Sequence, residues 1–220
     1  MPKVSQEYIA NKKKLITDAA YELCLEKTVS TVTMQDIINR TGLSQGGIYR
    51  FYRDIDEIFA DMLTAMRLKV SIKEKADEIF SRADDLPPAE VTFRIFDMLA
   101  EFMEQELMGI EKIDFELSVL AMNAPDRVGK ILAGAKGPGH KEYIMMRTAE
   151  FFSKKLADSK TPAKAGPSEL MSFIASAYSG IQMSCIVNTC YRKAPMADAY
   201  QPKALLNTLA RSINYLLGLE

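Results

Sequence analysis

The sequence predicts an all-α protein, with an N-terminal three-helix domain holding a helix-turn-helix and a larger C-terminal helical domain. Three observations carry that expectation. Apolar residues recur at helical spacing along most of the 220-residue chain, while strand-like alternation is nearly absent. Residues 33–52, TMQDIINRTGLSQGGIYRFY, place helix caps and a turn at fixed offsets. The run Asp84-Asp85-Leu86-Pro87-Pro88 then breaks the chain. With 48% hydrophobic residues, a chain of this length can bury a sizeable core.

A first helix is predicted over Gln6 to Glu26, with Ile16, Ala19, Ala20, Leu23 and Cys24 on one face. Thr33 and Asp36 form a capping box that opens a second, short helix, whose apolar face is Met34, Ile37 and Ile38. Gly42 supplies the left-handed residue that ends it, and Ser44 caps a third helix. Asp54, with Glu57 three residues on, starts one longer helix to about Phe80, its face made by Ile55, Ile58, Phe59, Met62 and Met66. Further helices are expected at about 89–107, 110–122, 126–156, 167–193 and 202–217. Residues 133–140, AGAKGPGH, split the third of these; residues 159–167 form a surface link, and Pro195 and Pro202 bracket a turn.

Charge separates along the chain. Net charge is −1, yet residues 1–53 carry an excess of +3 and residues 54–220 one of −4. A mildly basic head on an acidic body fits a nucleic-acid-binding domain on another scaffold. The N-terminus lacks the apolar stretch of a signal peptide and no run of about 18 apolar residues occurs, so a cytoplasmic protein without a membrane partner is expected. Three cysteines without a pairing pattern fit reduced thiols; Cys185 and Cys190 lie about 140° apart on one helix. The single histidine, His140, follows Gly137-Pro138-Gly139 and is expected on a surface loop. No metal site, cofactor or enzyme activity is expected: phosphate loop, paired nucleophile and base, and Cys/His clusters are all missing from the sequence.

The third helix opens with Gln45, Gly46 and Gly47, almost without side-chain bulk, before Ile48, Tyr49, Phe51 and Tyr52. A small, polar helix tip on an aromatic body suits insertion into the major groove of duplex DNA. Gln45 can pair its amide with adenine, and the two glycines admit close backbone approach. They also weaken the helix start by about 1 kcal/mol each, a cost that favours a functional reason for them. Arg50 and Arg53 flank the tip, with solvated charge the alternative to phosphate contact. Lys12, Lys13 and Lys14, near a helix start where cations oppose the dipole, pose the same choice.

Taken together, these residues resemble the N-terminal domain of TetR-family transcriptional regulators over about Lys12 to Met62. The elements are Ile16, Ala19 and Ala20; Asp36-Ile37; Thr41-Gly42-Leu43-Ser44; Gly46; Ile48-Tyr49; Phe51-Tyr52; and Glu57-Ile58. Four positions depart from the family pattern. Thr28 stands where a glycine is usual, so the loop is expected to take another path. Ile38 replaces an alanine, Gly47 a threonine, and Ile55 a lysine that would contact phosphate.

The resemblance implies a DNA-binding domain over residues 1–53 and a ligand-binding and dimerisation domain over 54–220, with 54–80 as the connecting helix. It implies DNA contacts from Thr33, Gln45, Gly46, Gly47, Tyr49, Arg50 and Tyr52, the tyrosine hydroxyls on phosphates and Tyr52 alternatively in the core. It further implies a cavity for a small apolar or amphipathic ligand among helices 89–156. Of the 13 methionines, 11 lie beyond residue 60 alongside many aromatics, and such side chains adapt to irregular ligands. The expected wall is Phe96, Phe102, Phe115, Met122, Tyr143 and Met146, ordinary helical core being the alternative for each. Asp114 and Glu116 could steer a cationic ligand or be plain solvated carboxylates. Helices 167–193 and 202–217 carry more apolar face than one protomer can bury, so a homodimer through them is expected. The resulting expectation is a homodimeric repressor, released from a palindromic double-stranded operator by a small molecule. The alternative is a DNA-binding or protein-interaction module of the same fold without an inducer.

Overall fold

The computed structural model describes residues 5–69, 72–158, 163–194, 196 and 199–219, and the described residues form helices without a strand. The order is α1 (Gln6–Glu26), α2 (Met34–Thr41), α3 (Gln45–Tyr49), α4 (Ile55–Lys69), α5 (Ile72–Ser81), α6 (Pro88–Glu106), α7 (Ile110–Asn123), α8 (Pro125–Gly134), α9 (His140–Asp158), α10 (Pro167–Ile186) and α11 (Pro202–Leu217). A 3₁₀ turn, Val29–Thr31, follows α1, and a π turn, Val187–Tyr191, extends α10. The expected split of 126–156 is present as α8 and α9. Pro195 and part of the 159–167 link lie outside the described residues.

The long helix expected from 54 to about 80 is instead two, α4 and α5, with Val70 and Ser71 outside the described residues. Their buried faces serve different cores. The chain packs as two compact units, one of residues 1–69 and 112–137, the other of 70–111 and 138–220. Packing therefore divides after Lys69, beyond the expected 53/54 boundary, because α4 buries Ile58, Phe59, Met62, Leu63 and Met66 with α1 and α8.

Within the first unit, distant segments meet through specific bonds. Arg127 on α8 grips Asp56 at the start of α4, with Nη2 2.7 Å and Nε 2.9 Å from Oδ1. Gly134, the last residue of α8, lies so close to α4 that an added Cβ would stand 3.0 Å from Ala60 Cβ. The Arg67 guanidinium at the end of α4 donates to the carbonyls of Ala135 and Gly137.

In the second unit, α11 packs chiefly on α6 and also on α10, while α5 packs on α6 and α9. Its core includes Ile95, Phe96, Met103, Phe152, Leu206 and Ile213, each fully or nearly fully buried. Among the described residues, only Pro167–Tyr191 is long and apolar enough to cross a membrane, judged by length and composition.

Candidate nucleic-acid interface and ligand cavity

The helix-turn-helix is built by local bonds the sequence encodes. Thr33 Oγ1 accepts from the Asp36 backbone N–H at 3.2 Å, and the Thr33 backbone N–H donates to Asp36 Oδ2 at 2.8 Å, closing the capping box. Hydrogen bonds from Lys27 and Thr33 hold the Asp36 carboxyl down to about 2. Gly42 ends α2 at φ 65°, a left-handed conformation glycine adopts without strain. Ser44 Oγ accepts from the Gly47 N–H at 3.1 Å and starts α3. Thr28 sits at φ −67°, so the loop after α1 avoids the positive φ a glycine would permit.

One residue anchors α3: Ile48 is fully buried. Around it Gln45, Gly46, Tyr49 and Arg50 are exposed, and Tyr49 retains 45% of its accessible surface. A Cβ at Gly46 would meet nothing within 4 Å, so the tip is open to an incoming surface. A Cβ at Gly47 would lie 3.2 Å from Ser44 Oγ, which gives that glycine a local packing reason.

Tyr52 is placed differently from the expected phosphate contact. It is 2% exposed, and its hydroxyl donates to Asp61 Oδ2 at 3.0 Å. Burial, then the Asp61 carboxylate, push its ionisation far above the ordinary range. Lys13 Nζ lies 2.9 Å from the same carboxylate oxygen and 4.7 Å from the Tyr52 ring centre, a cation–π position. Tyr52 thus braces α3 against α4 from inside. Lys14 pairs with Asp18 and Arg53 with Glu57, so these cations are partnered within the chain. Arg50 makes no ion pair among the described residues.

One carboxylate overturns its sequence assignment. Glu116 is buried rather than solvated, accepts the Val29 N–H at 2.6 Å, and pairs with Lys112 at 2.9 Å. Lys112 Nζ donates to the Cys24 carbonyl at the end of α1. Burial, then Glu116, push the Cys24 thiol up to about 12. Nothing in the linear sequence pairs residues 112–116 with 24–29, and only the i,i+4 spacing of Lys112 and Glu116 hinted at a bond.

His140 is likewise buried, not a surface loop residue. It begins α9, with Nε2 3.0 Å from Glu111 Oε1 and its ring centre 4.8 Å from that of Phe102. Gln182 and Tyr178 on α10 also donate to Glu111, at 2.5 and 3.3 Å. Burial alone would raise the Glu111 carboxyl; His140, Lys141 and Gln182 outweigh it and hold it below the ordinary value.

Beside this cluster, α6, α9 and α10 line a cavity of about 150 Å³ that opens partly to solvent. Of the six expected wall residues, Phe96 lines it. Phe102 packs on His140, and Tyr143 donates to both Asp77 oxygens at 2.6 and 2.7 Å. Phe115 and Met122 belong to the first unit, and Met122 is 81% exposed; Met146 on α9 is 52% exposed. Spacing alone did not reveal which face of α9 was inward. Lys141, Thr148 and Tyr178, which do line it, were missed.

Comparison with known proteins gives a consistent picture. The sequence model described as "Bacterial regulatory proteins, tetR family" matches residues 16–62, from α1 into α4. The chain is 21% identical over 200 residues to YfiR of Bacillus subtilis (strain 168), described as an uncharacterized HTH-type transcriptional regulator, covering 90% of this chain and 89% of that one. Its fold is similar to Salmonella enterica GusR, with TM-score 0.63, 13% identity, and coverage of 98% of this chain and 99% of that one. It is also similar to Thermus thermophilus FadR, a TetR-family repressor solved with lauroyl-CoA, with TM-score 0.57, 15% identity, and coverage of 93% and 95%.

Proposed function

We propose, from the premise that this chain is a DNA-binding transcriptional regulator of the TetR family, that it acts in the cytoplasm as a homodimeric repressor released from a palindromic operator by a small molecule. The observation that carries the DNA reading is the α3 tip. Gln45, Gly46, Tyr49 and Arg50 are exposed together on a helix pinned from below by Ile48. Gln45 and the glycine backbone read base edges, while Tyr49, Arg50 and the Thr33 end of α2 take phosphates. Tyr52 acts indirectly, by holding α3 at its angle.

Dimerisation is supported by the outer face of α10, where Phe173, Met183, Val187 and Tyr191 are exposed in a row with Gly180 among them. Tyr215 on α11 is exposed as well. A second copy covering this stripe would give the assembly two α3 tips for the two half-sites of a palindrome, which lie about 34 Å apart, one turn of duplex DNA. Release by a ligand is supported by the α6–α9–α10 cavity, a feature a module without an inducer has no need of. The cavity holds about 150 Å³ and opens partly to solvent, which supports a compact effector or a compact buried portion of one.

Fluorescence anisotropy with duplex DNA from upstream of its own gene, and with selected palindromes, tests the reading. Specific binding should weaken tenfold or more between about 50 and 200 mM salt, as counterions are released at several phosphates. Absence of binding to every duplex, or binding indifferent to salt, would overturn it.

A further inference from the structure

The cavity between α6, α9 and α10 has a chemistry that narrows what it holds. Its α6 wall, Ile95, Phe96 and Leu99, is wholly apolar. Ile144 and Ile174 face in from the other two helices. Four lining residues carry polar side-chain groups: Lys141, Thr148, Tyr178 and Ser179. Lys141 and Tyr178 share one end, since both reach Glu111: Lys141 Nζ is 3.6 Å from Oε2 and the Tyr178 hydroxyl 3.3 Å from Oε1. Thr148 lies two helical turns from Lys141 on the same face of α9, about 10 Å along the axis. It is 3% exposed, and its hydroxyl makes no hydrogen bond among the described residues. The other buried threonine hydroxyls, those of Thr17 and Thr92, bond the carbonyl four residues back.

Resting on the regulator reading above, we propose that this cavity binds a one-ring aromatic carboxylate carrying a hydroxyl across the ring. A volume of about 150 Å³ is the size at which an apolar cavity accepts benzene. The ring lies among Phe96, Leu99, Ile144 and Ile174. The carboxylate takes the Lys141 ammonium and the Tyr178 hydroxyl, and the ring hydroxyl bonds Thr148. Lys141 Nζ, 3.6 Å from Glu111 Oε2, would share its charge between that carboxylate and the incoming anion. Glu111 keeps His140 and Gln182 as donors when it does. A long acyl chain would extend beyond this space of about 150 Å³. Glu111 lies in the first turn of α7, so the ligand alters the bonding of a helix terminus.

Isothermal titration calorimetry on the full chain, with 4-hydroxybenzoate, benzoate, 4-hydroxybenzamide and dodecanoate as probes, tests this. The hydroxy acid should bind at least tenfold tighter than the neutral amide. Lys141→Met should erase that difference and Lys141→Arg should retain it. Thr148→Val should bring the hydroxy acid down to the affinity of benzoate. Thermal melts confirm that each variant folds. Equal binding of acid and amide, no effect of Lys141→Met, or tightest binding of dodecanoate overturns the proposal. Operator affinity is measured on the same samples. Operator binding without any ring-acid binding sinks the ligand class alone, whereas ring-acid binding without operator binding sinks the regulator reading alone.

Discussion

At the residue scale, Gly46 and Asp36 separate contact from structure. Because a Cβ at Gly46 meets open space, Gly46→Arg should leave stability within about 1 kcal/mol, since surface changes rarely cost more and glycine is a poor helix former. Operator affinity should nonetheless fall a hundredfold or more, read by anisotropy beside a thermal melt. Retained affinity would remove α3 from the groove. Asp36 makes a prediction about pH. Its folded carboxyl is held at about 2, below its ordinary 3.8, so its stabilising effect is present above the ordinary value and lost as pH falls toward 2. The stability gap between the native chain and Asp36→Asn should therefore be constant from pH 7 to 5 and close between pH 4 and 2. A gap that persists at pH 2 contradicts the cap. Asp36 was legible in the sequence because its capping partner Thr33 lies three positions away, and Gly46 because its lack of bulk needs no partner.

At the element scale, legibility tracked how local the cause was. The capping box, the Gly42 stop and the Ser44 cap all act within one turn, and their helices begin or end where the sequence implies. The single helix expected over 54–80 instead became α4 and α5, because apolar spacing is continuous through two helices that serve separate cores. Tyr52 read equally as core or contact until Asp61, nine residues on, took its hydroxyl. Met122 and Met146 share the composition of a ligand wall but not its position, since a helix shows only part of its circumference inward. Glu116, Lys112 and His140 were illegible because their partners are 29 to 88 residues away. The α7 pair gives a strong test. Lys112→Met leaves Glu116 buried without its cation and should cost about 3–5 kcal/mol, read by chemical denaturation. The double change Lys112→Met with Glu116→Gln should recover part of that. A single variant as stable as the native chain would show the pair to be dispensable.

At the scale of the whole molecule, the proposed repressor works only as two copies. Gly180 lies within the exposed stripe of α10, and a Cβ there meets nothing within 4 Å. Gly180→Arg should therefore leave the protomer folded while halving the mass measured by light scattering. It should also weaken operator binding at least a hundredfold, because one α3 tip cannot use both half-sites. A dimer that survives this change would move the interface away from α10. The sequence pointed to that face through its surplus of apolar residues, but not to its register.

The non-contiguous make-up of the first unit has a consequence for synthesis on the ribosome. Residues 1–69 emerge first, yet Lys112, Glu116, Arg127 and Gly134, which close that unit, come much later. At roughly 5–20 residues per second, translating residues 70–137 imposes a delay on the order of 3–14 s. During that interval the nascent head waits half-assembled, with Cys24 of α1 and Val29 of the following turn still without their buried ion pair.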